Sequence, residues 1–204
     1  MSSTIALQPN AAPGSDLINR QRLIARPQRT GALADRLAMH IESLVPQGRA
    51  ECLDIGTGDL ALAEAIDEQL LRTHWHSVDV NATALAPSND DRWSQWERFD
   101  GGRLPYANDE FDVALICDTL HRVPEEAPRL LVEAARVARY VLVKDRFHSG
   151  IGEQYFTQEA FGRLVAEQGL VITALDLGLD RHGEPPVLGA LRRDWQFIAV
   201  LRRS

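Results

Sequence analysis

The sequence predicts an α/β fold, a doubly wound and mostly parallel sheet with helices on both faces. Three observations carry this expectation. From residue 50 onward, short apolar runs alternate with segments of helical period, the pattern of a sheet layered between helices. The first run, Cys52-Leu53-Asp54-Ile55, ends in the glycine turn Gly56-Thr57-Gly58. An acidic residue stands just after each of the first five runs: at Asp54 to Asp59, Asp79, Asp100, Asp118 and Asp145. In open α/β sheets ligands bind outside the carboxyl ends of the strands, where strand order reverses, so these exits are the candidate site.

The elements follow in order. Residues 1–16 are polar and aperiodic and read as a mobile tail. Leu17 to Ala25 has a helical pattern, Pro27 interrupts it, and Gly31 weakens the restart. Leu33, Leu37, Ile41 and Leu44 then recur at helical spacing up to Pro46. Strands are expected at Cys52 to Ile55, Trp75 to Val80, Trp93 to Phe99, Phe111 to Cys117, Tyr140 to Val143, Leu170 to Leu175 and Trp195 to Leu201. Helices are expected at Leu60 to Leu71 and at Pro124 to Ala138, with Pro124 in the first turn. A third starts at Thr157 as cap and ends at Gln168, with Gly169 just beyond.

Composition bounds the class. The chain has 204 residues, 45% hydrophobic and 25% charged, which suits one globular domain with a full core. Its net charge of −7 argues against nucleic acid as a partner. No apolar run approaches the ~18 residues of a membrane span, and the N-terminus lacks the pattern of a secretory signal. Cys52 and Cys117 sit inside apolar runs and read as small buried hydrophobes of a reducing compartment; the cytoplasm is the expected location. Residues 1–49 carry six arginines against Asp16, Asp35 and Glu42, a charge of +3 that leaves −10 for residues 50–204. The first segment therefore reads as a tail and helical lid, the second as the ligand-binding domain. Lys144 is the single lysine, a bias that matches an arginine-rich composition.

The first exit points to a nucleoside. Gly56 and Gly58 let the backbone turn sharply and approach a ligand. Asp79 lies 21 residues beyond Gly58 at the next strand end, where a carboxylate accepts both hydroxyls of a ribose. Asp59 at the helix start suits the helix dipole but repels a pyrophosphate, and no Gly-Lys-Ser/Thr element is present. A cofactor with a ribose, no phosphate and a cationic centre fits this set: S-adenosylmethionine, whose sulfonium and ammonium are attracted to carboxylates such as Asp54.

The later exits carry a family resemblance. Phe99-Asp100-Gly101-Gly102-Arg103-Leu104-Pro105-Tyr106 is followed by Phe111-Asp112-Val113-Ala114-Leu115, then by Asp118-Thr119-Leu120-His121, then by Glu133-Ala134-Ala135-Arg136-Val137. As a set, from about Cys52 to Asp145, these blocks resemble the class I, Rossmann-like S-adenosylmethionine-dependent methyltransferases of small-molecule type, the group that includes the ubiquinone and menaquinone biosynthesis enzymes. The resemblance implies a seven-stranded sheet with its last strand antiparallel. It implies Asp54, Gly56 and Gly58 at the methionine part of the cofactor and Asp79 at the ribose. Asp100, with Gly101 alongside, would lie at the adenine amine, and Asp118 and His121 near the methyl group and a small-molecule acceptor.

Two positions depart from the family pattern: Leu60 stands where a third glycine is usual, and Arg122 follows His121 where a second histidine is frequent. Leu60 is expected to point into the helix–sheet core. His121 is the candidate general base, its reference pKa being near neutrality. No metal is expected: His74 and His76 flank Trp75 on a strand, without a Cys/His ligand spacing. Two rival readings stand beside the enzyme. One is a non-catalytic sensor or scaffold that binds S-adenosylmethionine, which Leu60 favours. The other is a nicotinamide-dependent oxidoreductase, which Asp59 and the Leu-Pro-Tyr block disfavour.

Overall fold

Cys52 and Leu53 are adjacent in the chain and both fully buried, yet they enter separate hydrophobic clusters. Successive side chains of a strand leave on opposite faces, so a strand apolar at consecutive positions must be covered on both sides. The computed structural model, which describes residues 27–46, 49–56, 61–70, 73–79, 93–98, 102–148, 156–179 and 194–204, has this sandwich of layers. Its elements are α1 (Pro27–Leu44), β1 (Ala50–Ile55), α2 (Ala61–Leu70), β2 (Thr73–Asp79), β3 (Trp93–Arg98), β4 (Phe111–Cys117), a 3₁₀ turn (Leu120–Arg122), α3 (Ala127–Val137), β5 (Ala138–His148), α4 (Gln158–Glu167), β6 (Leu170–Leu179) and β7 (Asp194–Arg203).

The seven strands form one sheet in the order β3-β2-β1-β4-β5-β7-β6. β1 pairs parallel with β2 and β4, and β4 with β5. β7 runs antiparallel between β5 and β6. Strand order reverses between β1 and β4, which places the switch point beside Gly56. On one face α1 and α2 bury Leu37, Ile41 and Ile66 against Cys52, Trp75, Leu115 and Leu142. On the other, α3 and α4 bury Leu131, Ala134, Phe161 and Val165 against Leu53, Ile116, Val143 and Phe197.

Several local expectations shift. Among the described residues α1 begins at Pro27 and runs through Gly31, a proline in the first turn losing no hydrogen bond; the helical pattern expected from Leu17 to Ala25 lies outside the described residues. α1 is tied to the far sheet edge by Arg36, whose Nε and Nη2 donate to Asp176 Oδ2 at 3.1 and 2.5 Å. Pro124 lies in the turn after the 3₁₀ segment, and Pro128 takes the first-turn role in α3. β5 extends to His148 because β7 pairs with it along that length. Thr157 caps α4, accepting from the Ala160 N–H at 3.1 Å, and Gly169 follows the helix with φ +69°. Cys52 is a free, buried thiol, and burial pushes its pKa well above the usual range. No helix among the described residues is long and apolar enough to cross a membrane.

Candidate active site

The glycine turn after β1 is the floor of the switch-point crevice. Gly56 adopts φ +79°, and its N–H donates to Val78 O of β2 at 2.8 Å. A Cβ on Gly56 would stand 2.5 Å from Thr119 Oγ1. The loops after β1 and β4 thus meet backbone to side chain, and only glycine fits at the junction. Thr119 Oγ1 in turn donates to Cys117 O at 3.0 Å. Asp54 is buried at the end of β1, and Asp79 ends β2 half-buried. The strands that expose these two carboxylates are hydrogen-bonded neighbours in register, Asp54 opposite Ser77. Gly58, Leu60, Asp100 and Gly101 lie outside the described residues.

The exits of β4 and β5 hold a charged cluster. Asp118 takes the left-handed conformation, φ +49°, and its N–H donates to Lys144 O at 2.8 Å. Lys144 Nζ donates to Asp118 Oδ2 at 2.6 Å while its side chain is only 2% exposed. Arg146 Nε stands 3.5 Å from Asp118 Oδ1. The Asp118 carboxylate, expected near the methyl group, is therefore already neutralised by a buried ammonium, so its pull on a cationic ligand is reduced.

His121 is gripped from below. Asp145, fully buried within β5 just past the level where β4 ends, accepts the His121 backbone N–H at 3.1 Å through Oδ2. Its Oδ1 accepts the Arg146 N–H at 2.8 Å and lies 2.6 Å from His121 Nδ1. Burial raises the Asp145 carboxyl pKa above the ordinary value, and His121 and the two N–H bonds act against that rise. A carboxylate at this distance fixes the orientation of the imidazole ring, with Nδ1 turned toward Asp145. Sequence reading singled out His121 and noted Asp145 only as a strand exit. Their pairing needs β4 beside β5, and Lys144 stood out in the sequence only as the single lysine. Asp118, His121 and Asp145 also bring possible metal-ligand atoms within 4.8 Å of one another, but Lys144 already supplies the cation that Asp118 needs.

The Leu-Pro-Tyr loop is built by α3. Glu133 Oε2 accepts the Leu104 N–H at 2.8 Å. Arg136 donates to Glu133 at 2.8 and 2.9 Å, to Leu104 O at 2.9 Å and to Tyr106 O at 2.8 Å. The Arg136 ion pair and the Leu104 N–H hold the Glu133 carboxyl below its ordinary range. This explains the Glu-x-x-Arg spacing: one helical turn places both side chains over the loop that follows β3.

Comparison with known proteins agrees with this geometry. Residues 53–140 match a family model described as a methyltransferase domain, a family that binds S-adenosylmethionine. No curated protein sequence matches the chain. Among solved structures, the plantazolicin methyltransferase BpumL, in complex with a triazolic desmethylPZN analog and SAH, superposes with TM-score 0.65 at 12% identity over 93% of this chain and 90% of that one. The 1,6-didemethyltoxoflavin-N1-methyltransferase of Burkholderia thailandensis, with bound 1,6-didemethyltoxoflavin and S-adenosylhomocysteine, gives 0.62 at 17% identity over 98% and 93%. The [4+2]-cyclase SpnF gives 0.60 at 15% identity over 83% and 80%. The chain has the Rossmann-like fold of the class I methyltransferases, and that fold also carries a protein named for another reaction.

Proposed function

We propose that the chain is an S-adenosylmethionine-dependent methyltransferase acting on a small-molecule acceptor. The observation that carries this is the Gly56 turn under Thr119 at the strand switch point, inside the segment that matches a methyltransferase domain. The turn forms a cradle that any side chain would fill, and the donor set beside it is carboxylate, suited to a ribose and to cationic groups. Asp54, Gly56 and Gly58 would hold the methionine part, Asp79 the ribose, and Asp100 with Gly101 the adenine. When bound, S-adenosylmethionine supplies a methyl carbon activated by its sulfonium.

The chain's own part is alignment and proton handling. Methyl transfer in line needs donor and acceptor held in one geometry. His121 Nε2 would accept a proton from an acceptor that must lose one as it attacks, with Asp145 fixing the ring and stabilising the imidazolium. Asp118, its charge shared with Lys144, borders the same space. The Leu-Pro-Tyr and Glu-x-x-Arg-Val blocks favour the ubiquinone and menaquinone group within the class. The acidic net charge disfavours nucleic acid as the acceptor. The N-terminal segment, residues 1–49, is proposed as a lid only in part, since Leu37 and Ile41 of α1 belong to the core.

Two measurements test this reading. Calorimetry with S-adenosylmethionine and S-adenosylhomocysteine should show binding to the wild type. Asp79→Ala should weaken it by ~1–3 kcal/mol, the cost of a lost buried hydrogen-bond partner; undiminished affinity removes the cofactor assignment. Labelled methyl transfer into a cell extract should then depend on His121, with His121→Ala turning over roughly 10²–10⁴ more slowly at unchanged cofactor affinity. Binding without transfer to any acceptor supports the sensor or scaffold instead.

A further inference from the structure

A second cluster lies at the opposite end of the sheet. Glu51 and His74 are the second residues of β1 and β2 and are direct register partners in the parallel pair. His76 lies two residues beyond His74 on the same strand and so leaves on the same face. Glu51 Oε2 and His74 Nδ1 are 2.7 Å apart, and the His74 and His76 rings meet edge to face at 5.1 Å. One nitrogen or oxygen from each of the three residues lies within 4.8 Å of the other two. Glu51, 42% exposed, gives the cluster its solvent side, while His74 is mostly buried. Gly56 is five residues along β1 from Glu51, roughly 16 Å at ~3.3 Å per residue, so this is not the crevice.

We infer that Glu51, His74 and His76 form a binding site for a divalent transition-metal ion of the zinc class. Two imidazoles and one carboxylate are a borderline donor set that suits zinc, copper or nickel over magnesium or calcium. Three protein ligands leave an outer position for water. The ion would replace the hydrogen bond between Glu51 and His74, whose donor atoms at 2.7 Å would part slightly while His76 closes in, toward the roughly 3.3 Å between neighbouring ligands of a tetrahedral shell with ~2.0–2.1 Å bonds. The surroundings assist. His76 packs edge-on against Phe111 at 5.0 Å and Tyr106 at 5.9 Å, which fixes its ring. Asp112 accepts the Glu51 N–H at 3.0 Å and adds negative charge nearby. Arg49 Nε, 4.0 Å from Glu51 Oε1, opposes this, but Arg49 is mostly exposed and able to swing away. The sequence offers only His-x-His; the third ligand, 23 residues before His74, arrives through strand pairing. The expectation of no metal rested on ligand spacing along the chain, which does not register a ligand brought in by strand pairing. An ion here would bridge β1 and β2 and stabilise the sheet edge.

The test uses the full, untagged chain stripped with chelator. Zinc titration by calorimetry, and visible absorption after cobalt addition, should give one ion per chain in a low-symmetry nitrogen/oxygen field. The melting temperature should rise with zinc. His76→Gln and Glu51→Gln, both expected to fold, should each weaken binding at least about tenfold and abolish the rise. His121→Ala, in the other cluster, should leave both unchanged. Absence of zinc binding to the folded wild type at about 100 times a micromolar constant, or binding unaltered in His76→Gln, overturns the site. Either result is independent of cofactor binding and methyl transfer.

Discussion

Glu133 with Arg136 and Asp118 with Lys144 are both carboxylate–cation pairs, but they are held differently. Arg136 stands at the surface of α3 with its side chain 16% exposed, and its guanidinium is saturated by two backbone carbonyls and Glu133. Lys144 is 2% exposed in the sheet and leans on Asp118, whose own backbone is forced into a left-handed conformation. The first pair builds a loop, and five hydrogen bonds to the guanidinium offset its desolvation. The second takes charge out of water at the strand ends, where a buried pair is weak evidence for stability. Unfavourable placement at the carboxyl edge of a parallel sheet is what a ligand site requires, and it separates the cluster that holds the fold from the cluster that borders the crevice.

The largest expected effect comes from breaking the buried pair on its more exposed side. Asp118→Asn strands the Lys144 ammonium in the sheet and should lower unfolding stability by about 3–5 kcal/mol. Lys144→Met leaves Asp118, about a quarter exposed, with water to compensate, and should cost clearly less. Urea denaturation of both variants checks the order; equal losses would mean that water or another carboxylate already reaches the ammonium.

A middle effect is expected at the loop. Arg136→Ala unpairs Leu104 O, Tyr106 O and Glu133 together and should cost about 2–3 kcal/mol, as for hydrogen bonds to a charged donor. Since the loop follows β3, cofactor affinity should fall with it. A stability loss with no change in affinity would separate the loop from the crevice.

The smallest effect is a pH dependence. The Glu133 carboxyl is held below its ordinary value of 4.5 by Arg136. Its contribution is therefore complete above 4.5 and lost as pH falls through the lowered folded value. The stability gap between the wild type and Glu133→Gln, on the order of 1 kcal/mol, should be full above 4.5 and close as pH falls below it through the lowered folded value. A gap constant with pH would show that Glu133 acts through packing. Asp145 has the opposite sign: burial raises its carboxyl above the ordinary 3.8. Its folded form is therefore most favoured below that value and loses stability as pH rises through the raised one.

Sequence alone determined the layered α/β class, the strand positions and the glycine turn, because period and turn chemistry are local properties of the chain. Leu53 and Cys52 announce a strand covered on both faces whatever their partners are. Gly56, Asp79 and His121 were legible for the same reason, each standing where a strand ends. Helix starts were less legible: Pro124 reads as a first-turn proline, but Pro128 takes that place, because the 3₁₀ segment at Leu120–Arg122 and the turn after it delay the helix. Tertiary structure alone decided the pairs. Asp145 under His121, Lys144 on Asp118, Glu133 and Arg136 over the Leu104 loop, and Glu51 beside His74 join residues far apart in the chain or on different elements. No spacing rule reports such pairs, since register between strands is set by which faces the core must bury and not by distance along the chain.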